Sequence, residues 1–210
     1  MPKPVVLTPA RVSSAVRVLA ADPLLGPVVA AHPKPLFTPA TDIFASLTRA
    51  IVSQQLSTKA AATIFSRVLA LTKKQHPDAY AVSCCTVEQL REAGLSRPKA
   101  GYLLDLADRT LRKELHIDRF FEMPDEDVIA ELVQVKGLGV WSAHMFLMFG
   151  LNRPDVWPTG DLGIKNGVAR LLKARKPIAP AKLEKVADPW RPYRTVAATY
   201  IWMSLDNKPQ

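Results

Sequence analysis

Cysteine is almost absent from this chain of 210 residues: the only two, Cys84 and Cys85, are neighbours. Adjacent cysteines bridge only under strain, so neither a disulfide framework nor a cysteine-held zinc or iron–sulfur centre can be built within the chain. Long apolar runs are missing as well. No stretch reaches the length of about eighteen apolar residues that spans a bilayer, and the opening MPKPVVLTPARV lacks the charged-then-apolar order of a secretory signal. No membrane partner and a cytoplasmic location are therefore expected. Acidic residues are scarce relative to basic ones, 19 against 28, which leaves a net charge of +9. Such a balance favours a polyanionic partner through long-range attraction and counterion release, although many basic proteins bind nothing anionic. Sustained alternation of apolar and polar residues, the mark of half-buried strands, is also lacking.

Apolar residues instead recur every three or four positions almost throughout, so the fold class expected is all-α. Start signals precede most of these runs: Thr8 with Pro9, Thr41 or Asp42 before IFASLTRAIVSQQ, Ser57 before TKAAATIFSRVLAL, and Thr86 with Gln89 as a capping box. Ser96 can cap RPKAGYLLDLADRTLRK, Pro124 can open DEDVIAELVQV, and Asp161 can open LGIKNGVARLLKA; Trp190 to Asp206 reads as a last helix. The 18 prolines lie mainly between these runs, as in PLLGPVVAAHPKPLFTPA, and suit short stiff connections.

One corner carries more chemistry than the others. In VKGLGVWSAHM, Gly137 and Gly139 sit one residue apart between two apolar runs. Glycine permits positive φ and removes the Cβ that would hold a ligand away, while the following helix start offers unpaired N–H donors and partial positive charge. An anion fits there, most simply a phosphate. Taken alone, the glycines read more readily as an ordinary helix–turn–helix corner with Gly in the C-cap position.

Surrounding segments decide between these readings. LVQVKGLGVWSAH resembles the helix-hairpin-helix of the endonuclease III-like DNA glycosylase superfamily, and WPTGDLGIK resembles the segment that carries its catalytic aspartate. Upstream, IVSQQLSTKAA resembles the element that inserts a side chain into DNA, and LREAGLSRPKAGYLLDLA the helices that follow. WRPYRTVAATYIW resembles the C-terminal helix of one branch, the 3-methyladenine DNA glycosylase II family. The matches run from roughly residue 40 to 205 in the family's order, and an ordered set is far less easily met by chance than a lone motif.

The resemblance implies a monofunctional glycosylase that flips alkylated bases of the 3-methyladenine and 7-methylguanine type out of duplex DNA and hydrolyses the glycosidic bond. It places the catalytic role on Asp161, which read locally is a helix N-cap. Gln54 and Gln55 fall at the DNA wedge, and Lys136, Gly137, Leu138 and Gly139 at the phosphate grip. Trp141, Met145, Trp157 and Trp202 fall at or beside the base pocket, where an indole stacked on a cationic base gains ~0.5–2 kcal/mol. Met145 departs from a bacterial relative's aromatic ring at that position and implies a wider or altered pocket. In lyase members a lysine stands two positions after the hairpin's second glycine; here that position holds Trp141, so water is the implied nucleophile. Lys136 and Lys165 do not match it and read as phosphate contacts or surface charge, His144 as a core or surface side chain, and Trp190 and Tyr193 as core.

The expected architecture is two helical lobes around a cleft without an N-terminal β domain. The middle lobe spans 43–153, and the second, built from 1–42 and 154–210, carries Asp161. No cofactor is expected, apart from a Na⁺ or K⁺ held by the hairpin carbonyls of Val133, Val135 and Leu138, which the resemblance implies. The expected partner is damaged double-stranded DNA, bound by a monomer in a bacterial cytoplasm and associated through DNA with the nucleoid. Two alternatives stand beside it: a non-catalytic duplex-binding module that uses only the hairpin, and a glycosylase biased to deaminated or etheno lesions.

Overall fold

A computed structural model describes residues 4–73, 75–175 and 178–206, and every regular element among them is helical. Most helices begin where a short polar side chain can take a backbone N–H that the helix leaves unpaired. Thr8 accepts from Arg11 N at the start of α1 (Pro9–Ala20), Asp42 from Ala45 N at α3 (Ile43–Ser53), and Ser57 from Ala60 N at α4 (Thr58–Thr72). The short α2 (Gly26–Ala31) has no side-chain cap. Asp78 caps α5 (Ala79–Ser83), Thr86 and Gln89 form the reciprocal capping box of α6 (Val87–Glu92), and Ser96 caps α7 (Arg97–Leu111). Then come α8 (Asp125–Leu132), α9 (Val140–Phe149), α10 (Leu162–Leu171), α11 (Pro180–Ala187) and α12 (Arg194–Asp206).

The last of these is shorter than its sequence suggests. Asp188–Trp190 forms a separate 3₁₀ turn, and α12 starts only at Arg194, because Pro192 disfavours the helical conformation for the residue before it and Arg191 is extended at φ −63°, ψ 142°.

Two compact units divide the chain, one comprising Met1–Pro4 and Ala40–Phe146, the other Val5–Pro39 and Leu147–Gln210. In the first, α7 packs on α3, α5 and α6, and α3 packs on α4. Phe44, Leu47 and Ile51 from α3 meet this requirement for a buried stripe, as do Leu103 and Leu106 from α7. A second stripe on α7, Lys99, Tyr102 and Asp105, stays partly accessible. In the second unit, α12 packs on α10, α1 and α2, and its Val196, Ala197, Ala198 and Ile201 are fully buried. Among the described residues no helix is long and apolar enough to cross a membrane.

Candidate active site and nucleic-acid interface

In the first unit two loops lie together. After α8, Val135 N–H donates to Leu132 O and Leu138 N–H to Val135 O (3.0 Å), which closes a tight corner. Gly137 supplies it with φ +80°, a conformation that strains other residues, and a Cβ there would come within 2.1 Å of the Tyr102 ring. Gly139 differs: it takes no positive φ, and a Cβ would meet nothing within 4 Å. Leu138 between them is buried, whereas Lys136, Gly137 and Gly139 are exposed. Ala143 N–H bonds back to Gly139 O and starts α9, whose first N–H groups, like those of any helix, point out of its end.

The second loop follows α3. Gln54 ends that helix, and Gln55 is exposed with φ +55°, in the left-handed region that a non-glycine residue adopts at a cost. Gln54 Nε2 donates to the carbonyl of Gly137 at 2.9 Å, so this loop and the Gly137 corner touch directly. Lys99 Nζ donates to Val52 O at 2.8 Å and to Gln54 O, and burial lowers its pKa below the usual lysine range. Asp105 accepts from Lys136 N at 2.9 Å, with the Lys136 ammonium 3.6 Å from its other oxygen. Lys99, Tyr102 and Asp105 therefore fix both loops from one face of α7.

Trp141, on the first turn of α9, is 51% exposed, and Met145 follows one turn later, half-buried. His144 beside it is half-buried, and that burial lowers its pKa from the ordinary histidine value of 6.5. An imidazole kept neutral in this way fits its reading as a packing residue.

In the second unit Asp161 caps α10. Its Oδ1 accepts from Ile164 N at 2.8 Å and from the indole Nε1 of Trp202 at 2.9 Å. The indole reaches it because position 163 is glycine: a Cβ there would lie 2.8 Å from Trp202 Cδ1 and Nε1 and 3.0 Å from Asp161 Oδ1. Lys165 Nζ turns back to Gly160 O at 3.3 Å, on the same turn.

Trp157 is placed otherwise, 5% exposed and edge-on to fully buried Trp190 with ring centroids 5.5 Å apart. Trp202 instead continues into an aromatic row. Phe149, 45% exposed, tilts against it at 6.0 Å and stacks on Phe37 at 6.2 Å. Sequence reasoning missed Phe37, which lies in a proline-rich stretch that reads as a connector.

It also missed the strap that holds the Asp161 segment. Arg194, 8% exposed, grips the Asp155 carboxylate through Nε at 2.7 Å and Nη2 at 3.1 Å, and donates to the Asp155 carbonyl as well. Thr195 accepts from Val156 N and donates to Arg153 O. A buried bidentate pair of this kind fixes direction more than it adds stability. The signal available in the sequence was only an aspartate and an arginine far apart along the chain.

The pattern that describes the HhH-GPD superfamily base excision DNA repair proteins matches residues 48–192, which takes in both loops, Asp155 and Asp161 and ends just before Arg194. The chain belongs to this superfamily. Over 163 residues, 76% of this chain and 71% of the relative, it is 36% identical to DNA-3-methyladenine glycosylase 1 of Schizosaccharomyces pombe. The solved structure of the S. pombe 3-methyladenine DNA glycosylase in complex with abasic DNA superposes with TM-score 0.79 at 30% identity, covering 92% of this chain and 97% of that one. A DNA-3-methyladenine glycosidase from Bacillus halodurans gives TM-score 0.80 at 31% identity, covering 90% and 88%. The all-helical HhH-GPD fold is thus the fold of this chain, as its sequence leads one to expect.

Proposed function

We propose that this HhH-GPD protein is a monofunctional DNA glycosylase that excises alkylated purines such as 3-methyladenine and 7-methylguanine from duplex DNA. The observation that carries this reading is the Asp161 carboxylate, fixed by Trp202 Nε1 and Ile164 N. Cleaving an N-glycosidic bond builds positive charge on the sugar, and an anion already held in place stabilises that charge without reorganising. The same carboxylate is suited to orient the attacking water. A duplex-gripping module has no use for a carboxylate so oriented, and this counts against the non-catalytic alternative.

The remaining residues take roles consistent with this. At the corner of Lys136, Gly137, Leu138 and Gly139, where Leu138 N–H is spent on Val135 O and Lys136 N–H on Asp105, the N–H groups of the two glycines and the Lys136 side chain grip phosphates, while the wedge loop at Gln54 and Gln55 fills the gap left by the flipped base. Trp141, Met145 and Trp202 serve the base: the indoles favour a cationic ring, and Met145 leaves room an aromatic side chain would fill, whereas Trp157, buried edge-on to Trp190, is a core side chain and not a face for the base. With Trp141 where a lyase carries its lysine, no Schiff base forms, and the product is an abasic site. The protein acts as a monomer in a bacterial cytoplasm.

A hairpin-bound Na⁺ or K⁺ also fits. The carbonyls of Val133, Val135 and Leu138 are oxygen donors suited to an alkali ion, and Val135 O keeps a second lone pair beside the bond from Leu138 N–H. Such an ion would draw in the corner's carbonyls and leave its N–H groups facing phosphate. If so, duplex affinity in K⁺ exceeds that in tetramethylammonium at equal ionic strength; equal affinities rule the ion out.

The decisive experiment incubates alkylated duplex DNA with the wild type and Asp161→Asn. Loss of base release, with melting temperature and duplex affinity retained, is expected, together with no borohydride-trapped adduct from either protein. Full activity of Asp161→Asn removes the assignment, and release of deaminated or etheno bases in preference to methylated purines moves the specificity to the second alternative.

A further inference from the structure

The wedge loop carries two glutamines, and the structure separates their circumstances. Gln55 is exposed at the tip, held at φ +55°. Gln54 is half-buried, and its amide nitrogen is spent on the Gly137 carbonyl at 2.9 Å. Behind it, Lys99 Nζ holds the carbonyls of Val52 and Gln54, the last acceptors of α3, where an exposed helix end would be left to water. The Tyr102 ring lies against Gly137 on the far side of the same contact.

We propose that Gln54 is a strut and Lys99 a positioning residue: the chain of hydrogen bonds from Lys99 through Gln54 to Gly137 locks the wedge loop onto the hairpin, so that Gln55 alone enters the duplex. The inference rests on the glycosylase reading, in which this loop fills the space of a flipped base. Its physical sense is preorganisation. A left-handed residue at a free loop tip would relax to commoner conformations, and inserting it would then require ordering the loop at the moment of base flipping. Clamped at Val52, Gln54 and Gly137, the loop meets the ordering cost on folding, and a phosphate grip at the hairpin fixes the register at which Gln55 meets the base stack.

The assignment splits the pair by function. Gln54 contributes its nitrogen to protein, Gln55 its whole side chain to DNA, and Lys99 touches neither substrate nor wedge side chain.

The test uses a duplex with 2-aminopurine beside a tetrahydrofuran abasic-site mimic, whose fluorescence reports what stacks in the gap, together with single-turnover release of methylated purines. Gln54→Met and Lys99→Met, which keep length and remove the donors, are each expected to lower the release rate and the fluorescence response about two- to tenfold, the range of one or two lost hydrogen bonds. Affinity for undamaged duplex should change by less than the release rate does. In a Gln55→Ala background the same substitutions should lower neither readout further, because the side chain they position is gone.

A loss of the same size in both backgrounds would mark a merely structural role and overturn the proposal, as would wild-type behaviour of Gln54→Met. Should Gln54→Met abolish insertion while Gln55→Ala retains it, the roles are reversed and the strut is refuted. If Gln55→Ala, Gln54→Met and Lys99→Met all release bases normally, the wedge reading of the loop fails, while the Asp161→Asn result still decides the glycosylase reading.

Discussion

At the scale of single residues, Trp202 makes a contact that its sequence context does not suggest. Its indole was expected to stack on a base, and in the structure its N–H also holds Asp161 Oδ1 at 2.9 Å. Trp202→Phe separates these roles, since phenylalanine keeps an aromatic face and loses the donor. A hydrogen bond to a charged acceptor contributes about 1.5–3 kcal/mol, so kcat should fall roughly ten- to a hundredfold if orienting the carboxylate is the larger role. KM should then move little. A variant with unchanged kcat and raised KM would show that Trp202 only binds the base. Gly163→Ala approaches the same contact from the other side, because the added methyl lies 2.8 Å from the indole.

At the scale of elements, the two glycines of the hairpin have different reasons. Gly137 is required by the chain itself, through φ +80° and the Tyr102 ring, whereas the chain gives Gly139 none. Under the phosphate-grip reading, the space at Gly139 is for the phosphate. Gly139→Ala should melt within a few degrees of wild type, as a surface change of about 0.5 kcal/mol does, yet bind duplex DNA more weakly. Gly137→Ala should lose stability, since a left-handed non-glycine residue alone costs of order 1–3 kcal/mol. Thermal melts and fluorescence anisotropy on both variants check the pair, and equal duplex affinity for Gly139→Ala and wild type would remove the close phosphate approach. Helix starts at Thr8, Asp42, Ser57, Thr86, Ser96 and Asp161 were legible because capping is settled within four residues of sequence. The contacts that make the site were not, because Gln54 meets Gly137, and Asp161 meets Trp202, across separations of 83 and 41 residues. Local pattern names the residues; tertiary packing decides which pairs of them touch. The interruption at Trp190 shows the same limit, for an apolar periodicity runs straight through prolines that the backbone cannot.

At the scale of the whole molecule, an excess of +9 makes duplex binding depend on salt, and the folding free energy against which any site is built is small, about 5–15 kcal/mol for a typical domain. Stability is consequently sensitive to a single half-buried titrating group. His144 has its pKa lowered by burial from 6.5. Above pH 6.5 its ring is neutral in both folded and unfolded chains and adds no pH dependence. Below that pH the unfolded chain takes up the proton first, stability falls as pH falls, and the loss is complete only when the folded ring protonates too. The interval to watch is the first unit or so below 6.5. His144→Gln, which cannot titrate, should flatten the decline of melting temperature with pH in that interval and leave it unchanged at lower pH. If the variant declines as steeply as wild type there, the proton is taken up elsewhere, and the half-buried imidazole beside Met145 is not the group that sets the protein's acid sensitivity.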